Sequence, residues 1–138
     1  MPEDPRGAMP TIYPYFVYRD AAAALEWLAT VFGFERAAEV RGADGSVVHA
    51  EMRFGRSTIM LATASEQQLA QDPWDLPSGR GTYVHVDDVD AHYQRAKGAG
   101  AEIVHEPEDT DFGARRYRAL DLNGYEWSFG SYRPAPPG

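Results

Sequence analysis

TYVHVDDVDAHYQRAKGAG, Thr82 to Gly100, is the stretch from which the fold can be read. Tyr83 to Val86 is a short β-rich run that breaks at Asp87 and Asp88. Val89, Tyr93 and Ala96 then recur at the i, i+4, i+7 spacing of one helical face. The segment therefore predicts a strand, an acidic helix cap and a helix. An aspartate at the cap accepts hydrogen bonds from free N–H groups of the first turn, and Gly98 and Gly100 permit a left-handed stop. The same arrangement occurs earlier, where Tyr15 to Asp20 leads into Ala21 to Phe32 and stops at Gly33. Asp20 and Asp88 are 68 residues apart, about half of the 138-residue chain, so one unit is written twice.

Working outward, each half predicts one helix and four strands. In the first half the strands are Ile12 to Tyr18, Phe34 to Arg41, Ser46 to Phe54 and Ser57 to Ala64, with turns at Gly42 to Gly45 and Gly55-Arg56. The second half has a strand to Val86, then Glu102 to Glu106, Arg115 to Asp121 and Tyr125 to Gly130. Its Asn123-Gly124 pair is a hairpin signal. Residues 65–80 form a crossing linker with at most one helical turn, 1–10 a leader and 134–138 a tail. The expectation is one α+β domain over 11–133, with modules 11–64 and 81–133, because each half alone would have a thin core.

Composition narrows the function classes. The absence of cysteine removes disulfides, thiolate metal sites and thiol nucleophiles. With 21 acidic residues against 13 basic ones the formal charge is -8, which disfavours nucleic acid as a partner. The acidic balance suits either a solvated surface or a cationic ligand. No apolar run approaches a membrane span and Met1 to Pro10 has no secretory core, so a cytoplasmic protein is expected. Gly98-Ala99-Gly100 ends a helix, whereas phosphate sites use the start of one.

Two βαβββ halves resemble the vicinal oxygen chelate superfamily, the group of glyoxalases, bleomycin-resistance proteins, fosfomycin-resistance enzymes and extradiol dioxygenases. The segments that carry the resemblance are VDDVDAHYQRAKGAGAEIVHEPED, Val86 to Asp109, and DLNGYEWSFG, Asp121 to Gly130. They are similar to its V-D-D-V-D…A-G-A and D-P-x-G-x-x-W-S-F signatures, with Leu122 where proline is commoner. The resemblance covers about Thr11 to Arg133. It implies a cupped mixed sheet from each half, the cups enclosing a pocket with the helices outside. It also implies four metal-ligand positions in metal-dependent members, which fall at or next to Tyr13, Met60, Gly81 and Ser128. A tyrosine, a thioether, a bare glycine and a hydroxyl do not make a divalent-ion site, so the chain is expected to belong to a metal-depleted branch with no cofactor.

Other polar residues remain candidates. His49, Glu51 and Arg53 alternate along one strand, opposite Val48, Ala50, Met52 and Phe54, and would face the cup if the apolar set packs on the first helix. They could contact a ligand, with His49 and Glu51 as an acid-base pair, or merely pair with each other. His85 shares parity with Gly81 and Tyr83 and should point into the second cup, as a pocket residue or with a local partner. Tyr13, Tyr15, Tyr83 and Met60 would supply an aromatic, apolar wall, and Ser128 the floor. Arg115, Arg116 and Arg118 could take an anionic ligand or serve as surface ion pairs, while His92 and His105 read as surface residues.

The expected function is a homodimeric binder that holds or sequesters a small cationic or aromatic molecule in a metal-free pocket, as antibiotic-resistance members do. The alternative is a lyase, isomerase or dioxygenase-type enzyme using a relocated metal or the His49/Glu51 pair.

Overall fold

In a computed structural model, which describes residues 13–70, 81–111 and 113–133, the sequence repeat reappears as a repeat of strand register. Strand β1 (Tyr15–Tyr18) runs parallel to β4 (Ser57–Thr63) with Tyr15 opposite Met60. Sixty-eight residues on, β5 (Thr82–His85) runs parallel to β8 (Glu126–Gly130) with Tyr83 opposite Ser128. The remaining strands are β2 (Glu35–Arg41), β3 (Val47–Phe54), β6 (Glu102–Asp109) and β7 (Arg115–Leu120). They complete two four-stranded mixed sheets of matching order, β1-β4-β3-β2 and β5-β8-β7-β6. The fold is α+β, and the chain divides into two compact units, Met1–Asp72 and Pro73–Gly138, at a point inside the expected linker.

Each helix begins as its cap predicts. Asp20 accepts a hydrogen bond from the Ala23 N–H at 3.2 Å, and Asp88 accepts one from Ala91 at 3.0 Å. Helix α1 (Ala21–Trp27) packs on β1, β3 and β4, and α3 (Val89–Gly98) on β6 and β7. Between them, α2 (Glu66–Ala70) is the short helical turn allowed for the linker.

α1 is shorter than expected, because Leu28–Phe32 is a π-helical turn closed by Gly33 in the left-handed region at φ 85°. The wider turn lets Leu28, Val31 and Phe32 all enter the core, with Trp27 edge-on to Phe32 at 5.0 Å. In the stop of α3 only Gly100, at φ 94°, is left-handed; Gly98 stays helical.

Two strand readings change. Val40 pairs with His49 and Arg41 with Val47, so Val48 is an extra, bulged residue. The bulge reverses parity: Val47 is fully buried and Val48 is 51% exposed, although alternation had placed Val48 with Ala50 and Met52. Strand β6 outruns its predicted end at Glu106. It is an edge strand with a register irregularity between His105 and Glu108, which accommodates Pro107.

The first strand begins at Tyr15, since Tyr13 and Pro14 adopt no regular structure, though the Pro14 carbonyl accepts the Met60 N–H at 2.9 Å. Ile12, the leader, Pro73, Trp74, Pro77 and the tail lie outside the described residues. Among the described residues no helix is long and apolar enough to cross a membrane.

Candidate functional site

The second sheet has two unlike faces. Tyr117, Ala119, Trp127 and Phe129 are fully buried, with Tyr117 and Phe129 rings stacked 5.2 Å apart. His92 of α3 closes this side, its ring 4.2 Å from Phe129 and its Nδ1 against the Tyr117 hydroxyl. His92 is thus half-buried, correcting its reading as a surface residue. An i, i+3 companion of Val89 sits at the edge of the helix's apolar stripe, where a ring can turn inward.

The opposite face of β7 and β8 carries Arg116, Arg118, Glu126 and Ser128 by alternation. Together with Gly81, Thr82, Tyr83, Thr110, Ala114, Arg115 and Tyr132 these residues line a cavity of about 370 Å³. Arg118 and Ser128 are cross-strand partners, and Tyr83 pairs with Ser128 on its other side, so the three span the sheet in one row.

Tyr83 is held in place. Its hydroxyl donates to the Tyr132 carbonyl at 2.5 Å, and its ring covers Gly130 so closely that a β-carbon there would lie 2.9 Å from the phenol oxygen. Burial pushes the phenol above the usual tyrosine range.

Three arginines enter the wall. Arg115 is bonded to Asp90 and Asp109, at 3.0 and 3.1 Å, and these hydrogen bonds raise its pKa further. Arg118 bonds Glu126 at 3.2 Å. Arg116 meets Glu108 only at 3.8 Å, beyond hydrogen-bond reach. The lining is therefore more positive than negative, opposite in sign to the chain as a whole.

Of the residues singled out from sequence, Tyr83 and Ser128 lie in this cavity, beside Gly81. His85 bonds Asp87 at 3.1 Å through Nε2, and its Nδ1 is buried without a hydrogen-bond partner among the described residues. Tyr132 was not anticipated, because it follows the last strand, in a stretch where no periodicity marks a side chain's direction.

The other candidates belong to the first unit. His49 and Glu51 meet at 2.9 Å, both part-exposed, and Arg53 is exposed. Tyr15, Met60 and Glu51 are cross-strand neighbours in one row. Tyr15 is 56% exposed, while Tyr13 is half-buried.

Comparison with known proteins matches residues 13–129 to the model of the glyoxalase/bleomycin resistance protein/dioxygenase superfamily. The chain belongs to this superfamily. An uncharacterised protein of Mycobacterium bovis is 34% identical over 125 residues, covering 88% of this chain and 82% of its own. Among solved structures, TioX from Micromonospora sp. ML1 superposes with a TM-score of 0.70 at 30% identity, over 93% of this chain and all of its own. A superfamily enzyme from Burkholderia phytofirmans PsJN gives 0.65 at 24% identity, over 86% and 94% of the two chains.

Superfamily metal chemistry needs several N or O donors converging on one ion, and the resemblance implies ligand positions at or next to four residues of this chain. In the second unit they hold Gly81, which has no side chain, and the lone hydroxyl of Ser128. In the first unit they hold the thioether of Met60 and the phenol of Tyr13. Among the described residues no group of three or more His, Asp or Glu is placed to hold a metal ion. A bare glycine, a hydroxyl, a thioether and a phenol do not make a divalent-ion donor set.

Proposed function

We propose that this superfamily member binds a small organic molecule in the cavity of its second unit, without a metal, and acts by holding it. The observation that carries the reading is the cavity itself: about 370 Å³, within the size range of small-molecule sites, with a fixed tyrosine ring and a few convergent polar groups. In this reading the protein is a cytoplasmic homodimer that lowers the free concentration of its ligand, the mode of action of resistance proteins that sequester a drug.

The test is elemental analysis followed by a two-dimensional NMR titration of chelator-treated protein with planar aromatic fragments. Shifts confined to β5, β7, β8 and Tyr132 are expected at less than stoichiometric metal. A tight equivalent of zinc, nickel, manganese or iron that is required for binding would overturn the reading.

The His49–Glu51 contact at 2.9 Å favours a second reading, in which the pair relays a proton in an isomerase- or lyase-type reaction. It predicts that His49→Gln and Glu51→Gln abolish turnover while the fold survives. Equal turnover in both variants removes the pair from any mechanism.

A further inference from the structure

Taking the cavity as the binding site, we infer that its ligand class is an aryl carboxylate: a flat ring laid against Tyr83, its carboxylate bonded to Arg116. Among the described residues Arg116 is the wall arginine whose carboxylate neighbour lies beyond hydrogen-bond distance. Its guanidinium has five N–H donors in a fixed fork, and its acidic neighbour Glu108 stands 3.8 Å away. A ligand carboxylate can take two of these donors side by side on two charged oxygens, whereas an amide offers one neutral oxygen and an ammonium none.

Arg118, two residues along β7 on the same face, adds positive potential, but Glu126 holds one of its nitrogens at 3.2 Å and offsets its charge. Arg116 is therefore the primary contact, and Glu126 sets how far Arg118 joins in. The ring half of the assignment rests on Tyr83. Its phenol is tied to the Tyr132 carbonyl and its ring rests on Gly130, so a ligand meets a flat surface that loses little freedom on binding.

Sign matters because the chain carries a formal charge of -8, which would repel an anion from most of the surface. Clustered arginines at one concave wall reverse that field locally, and the acidic exterior then makes anion binding specific to this wall.

The probes are 2-naphthoate, 2-naphthamide, 2-naphthylmethylammonium and acetate, titrated calorimetrically into chelator-treated full-length protein. Naphthoate is expected to bind at least about tenfold more tightly than the amide, with the ammonium and acetate weaker still. Arg116→Gln should bring naphthoate down to the level at which the parent binds the amide. Glu126→Gln should tighten naphthoate severalfold by releasing Arg118, a gain that a merely structural role for Glu126 would not produce. Circular dichroism and an unchanged thermal midpoint establish that the Arg116 variant is folded.

Equal binding of carboxylate and amide, or an Arg116→Gln variant that holds naphthoate as well as the parent, overturns the anion assignment while leaving the binding site standing. Acetate binding as tightly as naphthoate overturns the role of the ring. Failure of every aromatic probe to bind overturns the assignment together with the binding reading beneath it.

Discussion

Tyr15, Met60 and Glu51 in the first unit occupy the same sheet positions as Tyr83, Ser128 and Arg118 in the second. The scaffolds agree in strand order and in capped helix starts, yet the two rows differ in chemistry. One ends in a carboxylate paired with histidine, the other in a guanidinium beside an arginine-lined cavity. The tyrosines differ as well: Tyr15 is 56% exposed, while Tyr83 is 39% exposed and tied at both ring and hydroxyl. Backbone register alone therefore does not make a site. What separates the rows is what stands beside them, Ala62 against Gly130 next to β1 and β5, and a tight turn against an organised one at the hairpin ends.

The hairpin turns give the largest expected effect. In the second unit Asp121 is buried and accepts from the backbone N–H groups of Asn123 and Tyr125, at 2.9 and 3.0 Å, and from the Trp127 indole at 3.0 Å. Asp121→Ala strands all three donors and should cost roughly 3 kcal/mol or more in chemical denaturation, at 1–3 kcal/mol per buried unpaired group. The first unit turns between β3 and β4 through Gly55-Arg56, with Gly55 at φ 59° in the position a type II′ turn gives to glycine. Arg56→Ala there should stay within about 0.5 kcal/mol. A loss below about 1 kcal/mol for Asp121→Ala would break the contrast.

Next in size is the pair of close-approach positions. Gly130→Ala places a β-carbon 2.9 Å from the Tyr83 hydroxyl and 3.0 Å from the Arg115 carbonyl, so the phenol must leave its partner. Overpacking of this kind costs about 1–3 kcal/mol. The equivalent Ala62 already carries a β-carbon, and Ala62→Gly should cost about 0.5–1 kcal/mol from backbone freedom alone. Thermal unfolding of both variants, with the Tyr83 resonances followed by NMR, tests whether the second unit is the more tightly packed at this point.

These cases show how much was legible beforehand. The caps at Asp20 and Asp88, the helix faces and the order of elements follow from period and cap chemistry, which are local, and they hold residue by residue. Val48 did not follow, because a bulge is set by the partner strand's register and leaves no mark on alternation. Asp121 reads from sequence only as a strand end and the first residue of the DLNGYEWSFG segment, since its role depends on an indole six residues away folding back onto it. The arginines of β7 were legible as a possible anion site. Their ranking was not, because it depends on the distances to Glu108, Glu126 and Asp90.

A smaller effect separates the helix-facing sides. Tyr117 is buried where the first unit has Ala50, and burial raises its phenol above the ordinary value near 10, as it does for Tyr83. A phenol raised in the folded state contributes stability that is present below the unfolded value and is lost as pH climbs toward the folded one. Urea stability should therefore hold to about pH 10 and fall above it. Tyr117→Phe, which also gives up the hydroxyl's contact with His92, should cost about 1 kcal/mol at pH 7 and flatten the alkaline decline. An identical pH profile for variant and parent would remove Tyr117 from that decline.

The smallest expected difference lies at the helix starts, where the units look most alike. Losing either cap, by Asp20→Ala or Asp88→Ala, should cost about 1 kcal/mol. The first unit, however, holds a second hydroxyl at this end: Thr63 accepts from the Ala21 N–H at 3.1 Å, tying the start of α1 to the end of β4. At the equivalent place the Ser131 hydroxyl turns instead to the Arg115 N–H at 2.9 Å, on β7. Asp20 and Thr63 thus serve one helix terminus, so the double variant Asp20→Ala/Thr63→Ala should depart from additivity by about 0.5 kcal/mol or more. Asp88→Ala/Ser131→Ala, which touches two different elements, should be additive within about 0.3–0.5 kcal/mol. Equal coupling in the two cycles would mean that the cap repeats completely and that the units do not diverge at their helix starts.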